Sequence, residues 1–194
     1  MYRWYQKAKF CYAYLMDVPK NNHSHTQIAN SRWFKRAWTL QELLAPREVL
    51  FYSDEWFLIG TKTSLKTVIS EATGIDFIYL THEHFSRASV AKKMFWAANR
   101  EATRPEDISY SLFGIFDVHM PLLYGEGQQN AFIRLQEEIM KTSGDQTLLA
   151  WGLSTTVPKD LEEGSKNSSG RLADGEDVAP ADVSCALLTP QLIV

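Results

Sequence analysis

Cysteine is almost absent from this 194-residue chain. Only Cys11 and Cys185 occur, which excludes a disulfide framework and any zinc site built from cysteines, and fits a reducing compartment. No run of about 18 apolar residues is present, and the amino terminus MYRWYQKAKF is too polar for a secretory signal. These absences predict a cytoplasmic protein with no membrane span. Positive charge is not in excess either: 20 Lys and Arg face 23 Asp and Glu, a formal net charge of -3. A polybasic surface for a nucleic-acid backbone or an anionic membrane is therefore lacking. Aromatic residues are missing from the last quarter of the chain, since all Phe, Trp and Tyr lie at or before Trp151.

What is present is unevenly spread. A core for one ordinary domain is available, built almost entirely from the first three quarters, and a boundary is expected near Gly152. Between Pro158 and Asp182 the chain is rich in Gly, Ser, Pro and acids, with seven acids and three bases, and too poor in apolar surface to offset its ordering entropy. Residues 152–182 are thus expected to form a disordered linker. The apolar stretch 183–194 reads as a strand or a chain cut short. The mild acidity belongs to the linker, because the remainder is nearly neutral and rich in Trp, which suits contact with another protein chain.

Local patterning predicts an α/β arrangement. Residues 1–9 read as the end of an amphipathic helix, with Met1, Trp4, Tyr5 and Ala8 on one face, followed by a buried strand over Phe10–Leu15. Pro19–Asn30 reads as a polar loop. Ser31 can cap a helix from about Arg32 to Leu44, which Pro46 stops. Glu48–Tyr52 is a second buried strand and Ser53–Gly60 a turn with a short strand. Thr63–Thr73 is a helix closed by Gly74. Ser89–Arg100 has helical spacing, and Pro105 with Glu106 and Asp107 opens a helix that runs to about Phe116. Gln128–Thr142 places Phe132, Ile133, Leu135, Ile139 and Met140 on one stripe. Leu148–Trp151 would return as a strand. The expected fold is an incomplete, mostly parallel sheet with helices, followed by a helical extension and a disordered tail.

Few constellations suggest chemistry. His23 with His25, and His82 with His84, share a face if extended, but no further ligand stands at metal-site spacing, and His119 is the only other imidazole. No metal is expected. The serine-hydrolase elbow and the phosphate-loop spacing are both absent. Gly125-Glu126-Gly127 reads as a tight connection that aims the last helix, whose amino terminus could hold an anion. The stretch from Ser31 to Leu44 is the most informative. On a helix Trp38 and Glu42 are one turn apart, with Leu40, Leu43 and Leu44 toward a neighbouring layer. A carboxylate against an indole is partly desolvated, which suits acid-base work or contact with a sugar hydroxyl. The alternative is that Glu42 pairs with Arg36 or Arg32 while Trp38 fills the core.

The strings SRWFKRAWTLQELLAP, VLFYSDEWFLIGTK, SVAKKMFWAANREATRPEDISYSLFGIFDVHMPLLYGEG and AFIRLQEEIMKTSGDQTLLAW closely resemble the fungal heterokaryon-incompatibility (HET) domain proteins, over residues 1–151. The resemblance implies a signalling and interaction module of vegetative incompatibility that triggers regulated cell death after non-self recognition. It implies protein partners, through self-association or a nucleotide-binding repeat receptor. Relatives of this kind carry an upstream block with a first strand, so the chain is expected to be an amino-terminally incomplete domain. The stretch WTLQEL also resembles the TIR domains, implying a TIR or flavodoxin-like sheet in which Glu42 is the catalytic carboxylate for cleavage of NAD and Trp38 contacts that substrate. NAD would then be a substrate and no cofactor is implied. The nucleotide-cradling loop of such an enzyme belongs to the upstream block, so little or no activity is expected, and an inactive remnant is the third reading.

Overall fold

The computed structural model of the protein describes residues 2–21, 24–80 and 85–150. It divides into two units, Met1–Leu148 and Leu149–Val194. The expected linker and apolar tail, and the strand expected to end at Trp151, reach beyond the described residues.

A short helix α1 (Tyr2–Lys7) leads into strand β1 (Cys11–Tyr14). Helix α2 (His25–Ala29), a 3₁₀ turn (Arg32–Lys35) and α3 (Thr39–Leu44) then cross to β2 (Val49–Tyr52), which turns back through β3 (Leu58–Thr61). The strands lie in the order β1-β2-β3. β1 and β2 run parallel, with Cys11 beside Val49 and Tyr14 beside Tyr52, whereas β3 is antiparallel to β2 with a register shift at Phe51 and Tyr52. The sheet is therefore mixed rather than mostly parallel. The connection from β2 to β3 is too short for the crossover that a parallel neighbour needs.

One face of the sheet builds the core. Ala13, Leu15, Val49 and Phe51 are buried on it, and the rings of Trp33 and Phe34 close on Phe51 at 5.5 and 5.9 Å. Leu40, Leu43 and Leu44 of α3 join this layer, as expected from their spacing. Among the described residues nothing covers the other face. Tyr12, Tyr14 and Tyr52 project from it, and Trp56 stacks on Tyr14 at 4.7 Å. A parallel pair is ordinarily covered on both faces, so this open aromatic surface is the unusual feature of the fold.

Later helices complete the unit: α4 (Lys66–Thr73), α5 (Val90–Ala97), α6 (Asp107–Tyr110), α7 (Phe113–Phe116) and α8 (Gln128–Thr142). Gly74 ends α4 in the left-handed region at φ 67°, as its position implies. α2 packs on α4, α6 on α8, and α1 on α3 and α7. Asp145, just beyond α8, accepts a hydrogen bond from the Val90 N–H at 2.9 Å and so helps Ser89 cap α5.

Several expectations are corrected. Trp4 of α1 is 80% exposed, because α1 is short and buries no residue fully. The loop before Ser31 contains α2, nucleated by a reciprocal capping box between Ser24 and Gln27. The single helix over 32–44 is broken at Arg36, whose extended backbone pairs with Glu101. α4 starts at Lys66 rather than Thr63, since Thr61–Ser64 forms a hydrogen-bonded turn. The helix after Pro105 is two short pieces. On α8 the buried stripe is Ala131, Leu135 and Ile139, while Ile133 and Met140 face outward. Gln146–Ala150 is a 3₁₀ turn rather than the start of a strand.

Candidate functional site

In open α/β sheets ligands sit beyond the carboxyl ends of the strands, and there β1 opens onto a cleft of 540 Å³. Tyr14, Asp17 and Trp38 line one side together with the cations Arg32, Lys35 and Arg36. Glu101, Thr103 and Asp107 form the opposite rim. Trp38, the residue that begins α3, is partly exposed here and does not fill the core.

Local capping fixes the first rim. The Ser31 hydroxyl donates to Asp17 Oδ1 at 2.6 Å, and the N–H of Arg32 donates to Oδ2 at 2.7 Å. Burial works to raise the Asp17 pKa, but the Arg32 N–H and the Ser31 hydroxyl outweigh it and hold the carboxyl below its ordinary range. The acid at the end of β1 is thereby a structural clamp on the 3₁₀ turn.

The second rim is tied on by backbone. Glu101 N–H donates to Lys35 O at 2.6 Å, and Ala37 N–H donates to Glu101 O at 2.8 Å. Beneath them lies Arg100. Its Nη1 donates to Arg36 O at 2.9 Å and its Nε to Trp96 O at 3.1 Å, while Nη2 is buried with no hydrogen-bond partner among the described residues. Burial lowers this guanidinium to about 9, so it remains charged at neutral pH. Nothing in the sequence singled out Arg100, whose importance comes from contacts 64 residues apart.

Glu42 is elsewhere. It is absent from the cleft lining. It accepts a hydrogen bond from the Tyr5 hydroxyl at 3.2 Å, and neither Arg32 nor Arg36 pairs with it among the described residues. Burial, then the Glu42 charge, raises Tyr5 to about 12, and the same two causes raise the Cys11 thiol to about 11. Both neighbours are thus held protonated. Trp38 and Glu42 lie one turn apart on α3, yet the first serves the carboxyl end of β1 and the second the region of Cys11 at its amino end. Of the two residues that the WTLQEL stretch suggested, Trp38 lines the cleft and Glu42 does not.

The glycine turn is closed as well. Glu106 Oε1 accepts from the N–H groups of Gly125 and Gly127 at 2.8 and 3.0 Å. The chain's own carboxylate therefore occupies the amino terminus of α8. Its own backbone N–H, then those of Gly125 and Gly127, hold Glu106 below the ordinary carboxylate range. The place of Glu106 before α6 points only to the dipole of that helix, and its reach to Gly125 and Gly127 comes from the fold. Of the histidines, His25 opens α2, and His23, His82 and His84 lie outside the described residues. Among the described residues no group of three or more His, Cys, Asp or Glu comes together, and no helix is long and apolar enough to cross a membrane.

Comparison with known proteins adds three findings. No solved structure matches the chain. Residues 130–190 match a family described as a Domain of unknown function (DUF8212), which begins within α8 and runs past the described residues. The vegetative incompatibility protein HET-E-1 of Podospora anserina is 45% identical over 151 residues. That alignment takes in 74% of this chain but spans 11% of the relative's length. Over most of its length, then, the chain is homologous to one segment of a fungal vegetative incompatibility protein.

Proposed function

We propose that the chain is a signalling and interaction module of fungal vegetative incompatibility, acting in the cytoplasm to promote regulated cell death after non-self recognition. The 45% identity to an incompatibility protein is the observation that supports this reading. The open aromatic sheet face agrees with it, because a surface of Tyr12, Tyr14, Tyr52 and Trp56 suits contact with another chain better than contact with water. The test is regulated expression of the chain in a filamentous fungus, scored for cell death. Vital-dye uptake after induction is expected. Normal growth at confirmed protein levels, alone and in fusion with incompatible strains, would refute it.

A second reading, a TIR-like hydrolase that cleaves NAD, draws on Trp38, which sits in the cleft beside Arg32, Lys35 and Arg36, where an aromatic ring and three cations suit a phosphate-bearing ring compound. Glu42, tied to Tyr5 outside the lining, is the weak member of that site. Nicotinamide release that is lost in Glu42→Ala would establish it. No release from wild type, or equal release from the variant, would remove it and leave the interaction reading or an inactive remnant.

A further inference from the structure

The amino terminus of α5 is filled from far along the chain. Asp145 Oδ2 accepts the Val90 N–H at 2.9 Å, and Thr147 Oγ1 accepts the Ala91 N–H at 3.2 Å. The same carboxylate also binds its own loop, because Oδ1 accepts the Thr147 N–H at 2.9 Å. Asp145 and Thr147 therefore grip α5 as one unit. Lys93 of α5 attracts the Asp145 carboxylate and adds to the hold. Little else fastens this segment. Of residues 143–148 only Leu148 is buried. A side chain at Gly144 would meet nothing within 4 Å, so no packing pins the turn before Asp145. Loss of the grip leaves α5 a cap of its own, since Ser89 Oγ accepts the Lys92 N–H at 3.3 Å. Few buried apolar contacts and exposed hydrogen bonds mark the parts of a fold that open most readily.

We propose that Asp145 and Thr147 form a releasable clasp, which holds residues 143–148 on the amino end of α5 and opens while the sheet and its core stay folded. Its place in the chain gives the clasp a regulatory use. The first unit ends at Leu148, and the family match over residues 130–190 includes Asp145 and Thr147 but neither Val90 nor Ala91. The grip thus joins α5 to a segment that recurs as a family of its own. With the clasp closed, a pull or a change of charge at this boundary reaches α5; with it open, α5 is released. The Asp145–Thr147 hydrogen bond ties the two grips together, so that loss of either frees both. This inference goes beyond the interaction-module reading, and its test in solution does not depend on the cell-death assay.

The test is native-state hydrogen exchange of the full chain, read amide by amide with NMR in low concentrations of urea. Val90, Ala91 and Thr147 are expected to exchange at similar rates that urea barely changes, as a local opening does. Leu15 and Lys62, bonded within the sheet, should exchange more slowly and respond steeply to urea. Two variants then read the coupling. Asp145→Ala should speed exchange at Ala91 as well as Val90 about tenfold, although Thr147, the partner of Ala91, is intact. Thr147→Val should likewise speed Val90. Should Asp145→Ala fail to fold, the effect of Thr147→Val on Val90 decides. Val90 and Ala91 exchanging only in the urea-dependent unfolding that exposes Leu15 would overturn the proposal. So would a variant that speeds its own partner alone, or no amide at all.

Discussion

Glu106 Oε1 stands 3.0 Å from the backbone nitrogen of Gly127, where φ is 82°. A side chain 21 residues upstream thereby holds the turn from which the 15-residue α8 departs. Glu106→Gln keeps the shape but loses the charge at the positive helix end, so a lower Tm is expected in differential scanning calorimetry. Glu106→Ala should lower it more, because two N–H groups lose their acceptor.

Acid should act through the same kind of contact. Asp17, Glu106 and Asp145 are all held below their ordinary values. A depressed carboxyl adds stability that is fully present above its unfolded pKa, about 4, and lost as pH falls through the folded value. Tm measured from about pH 6 to about pH 3 should fall in the acid half of that range. Glu106→Gln should show a shallower fall.

Lys62 gives a dependence of the same sign in an alkaline window. Its ammonium donates to Leu43 O and Pro46 O at 2.9 and 2.8 Å, and burial lowers it to about 8. The unfolded chain then binds the extra proton between about pH 8 and about pH 10.4, so this group's contribution rises with pH by up to about 3 kcal/mol. Cys11, raised to about 11, works against it in part of that window. The difference between wild type and Lys62→Met in urea unfolding isolates the lysine. Wild type should gain relative to the variant as pH rises.

Gly114 lets α1 approach α7. A Cβ placed there would stand 2.2 Å from Cβ of Tyr2 and 3.0 Å from Gln41 Oε1, too close for the helices to keep their spacing. Gly114→Ala should cost about 1–3 kcal/mol. Hydrogen exchange in Tyr2–Lys7 should rise with it, and unchanged protection there would show that α1 does not depend on this approach.

Arg100→Ala should cost about 3 kcal/mol or more, from the cavity and from the hydrogen bonds lost to Arg36 O, Trp96 O and Thr39 Oγ1. Arg100→Lys restores charge but not the forked reach, and should recover only part of this in urea titration.

Short-range signals were the legible part of the fold. Gly74 in the left-handed region, Ser89 at a helix start and the Leu40, Leu43 and Leu44 layer follow from neighbours a few residues away. The break at Arg36 does not, because its partner Glu101 lies far along the chain and tertiary pairing overrides the helix formers around it. The mixed sheet was hidden for a related reason: β3 has no strong pattern of its own, and its direction comes from a tight reversal at Ser53. The sequence brought out Trp38, and the cleft contains it. Glu42 shares its helix, yet one turn of separation places it toward the other end of β1, which spacing alone does not reveal.

The bridge from Arg36 to Glu101 also sets when the cleft comes into being. Its two rims leave the ribosome well apart in time, and closing so long a loop is slow compared with forming the helices on either side. A nascent chain released before Arg100 and Glu101 holds Trp38, Asp17 and the three cations with nothing facing them. The cleft is a late product of synthesis, formed only once the far rim has folded back.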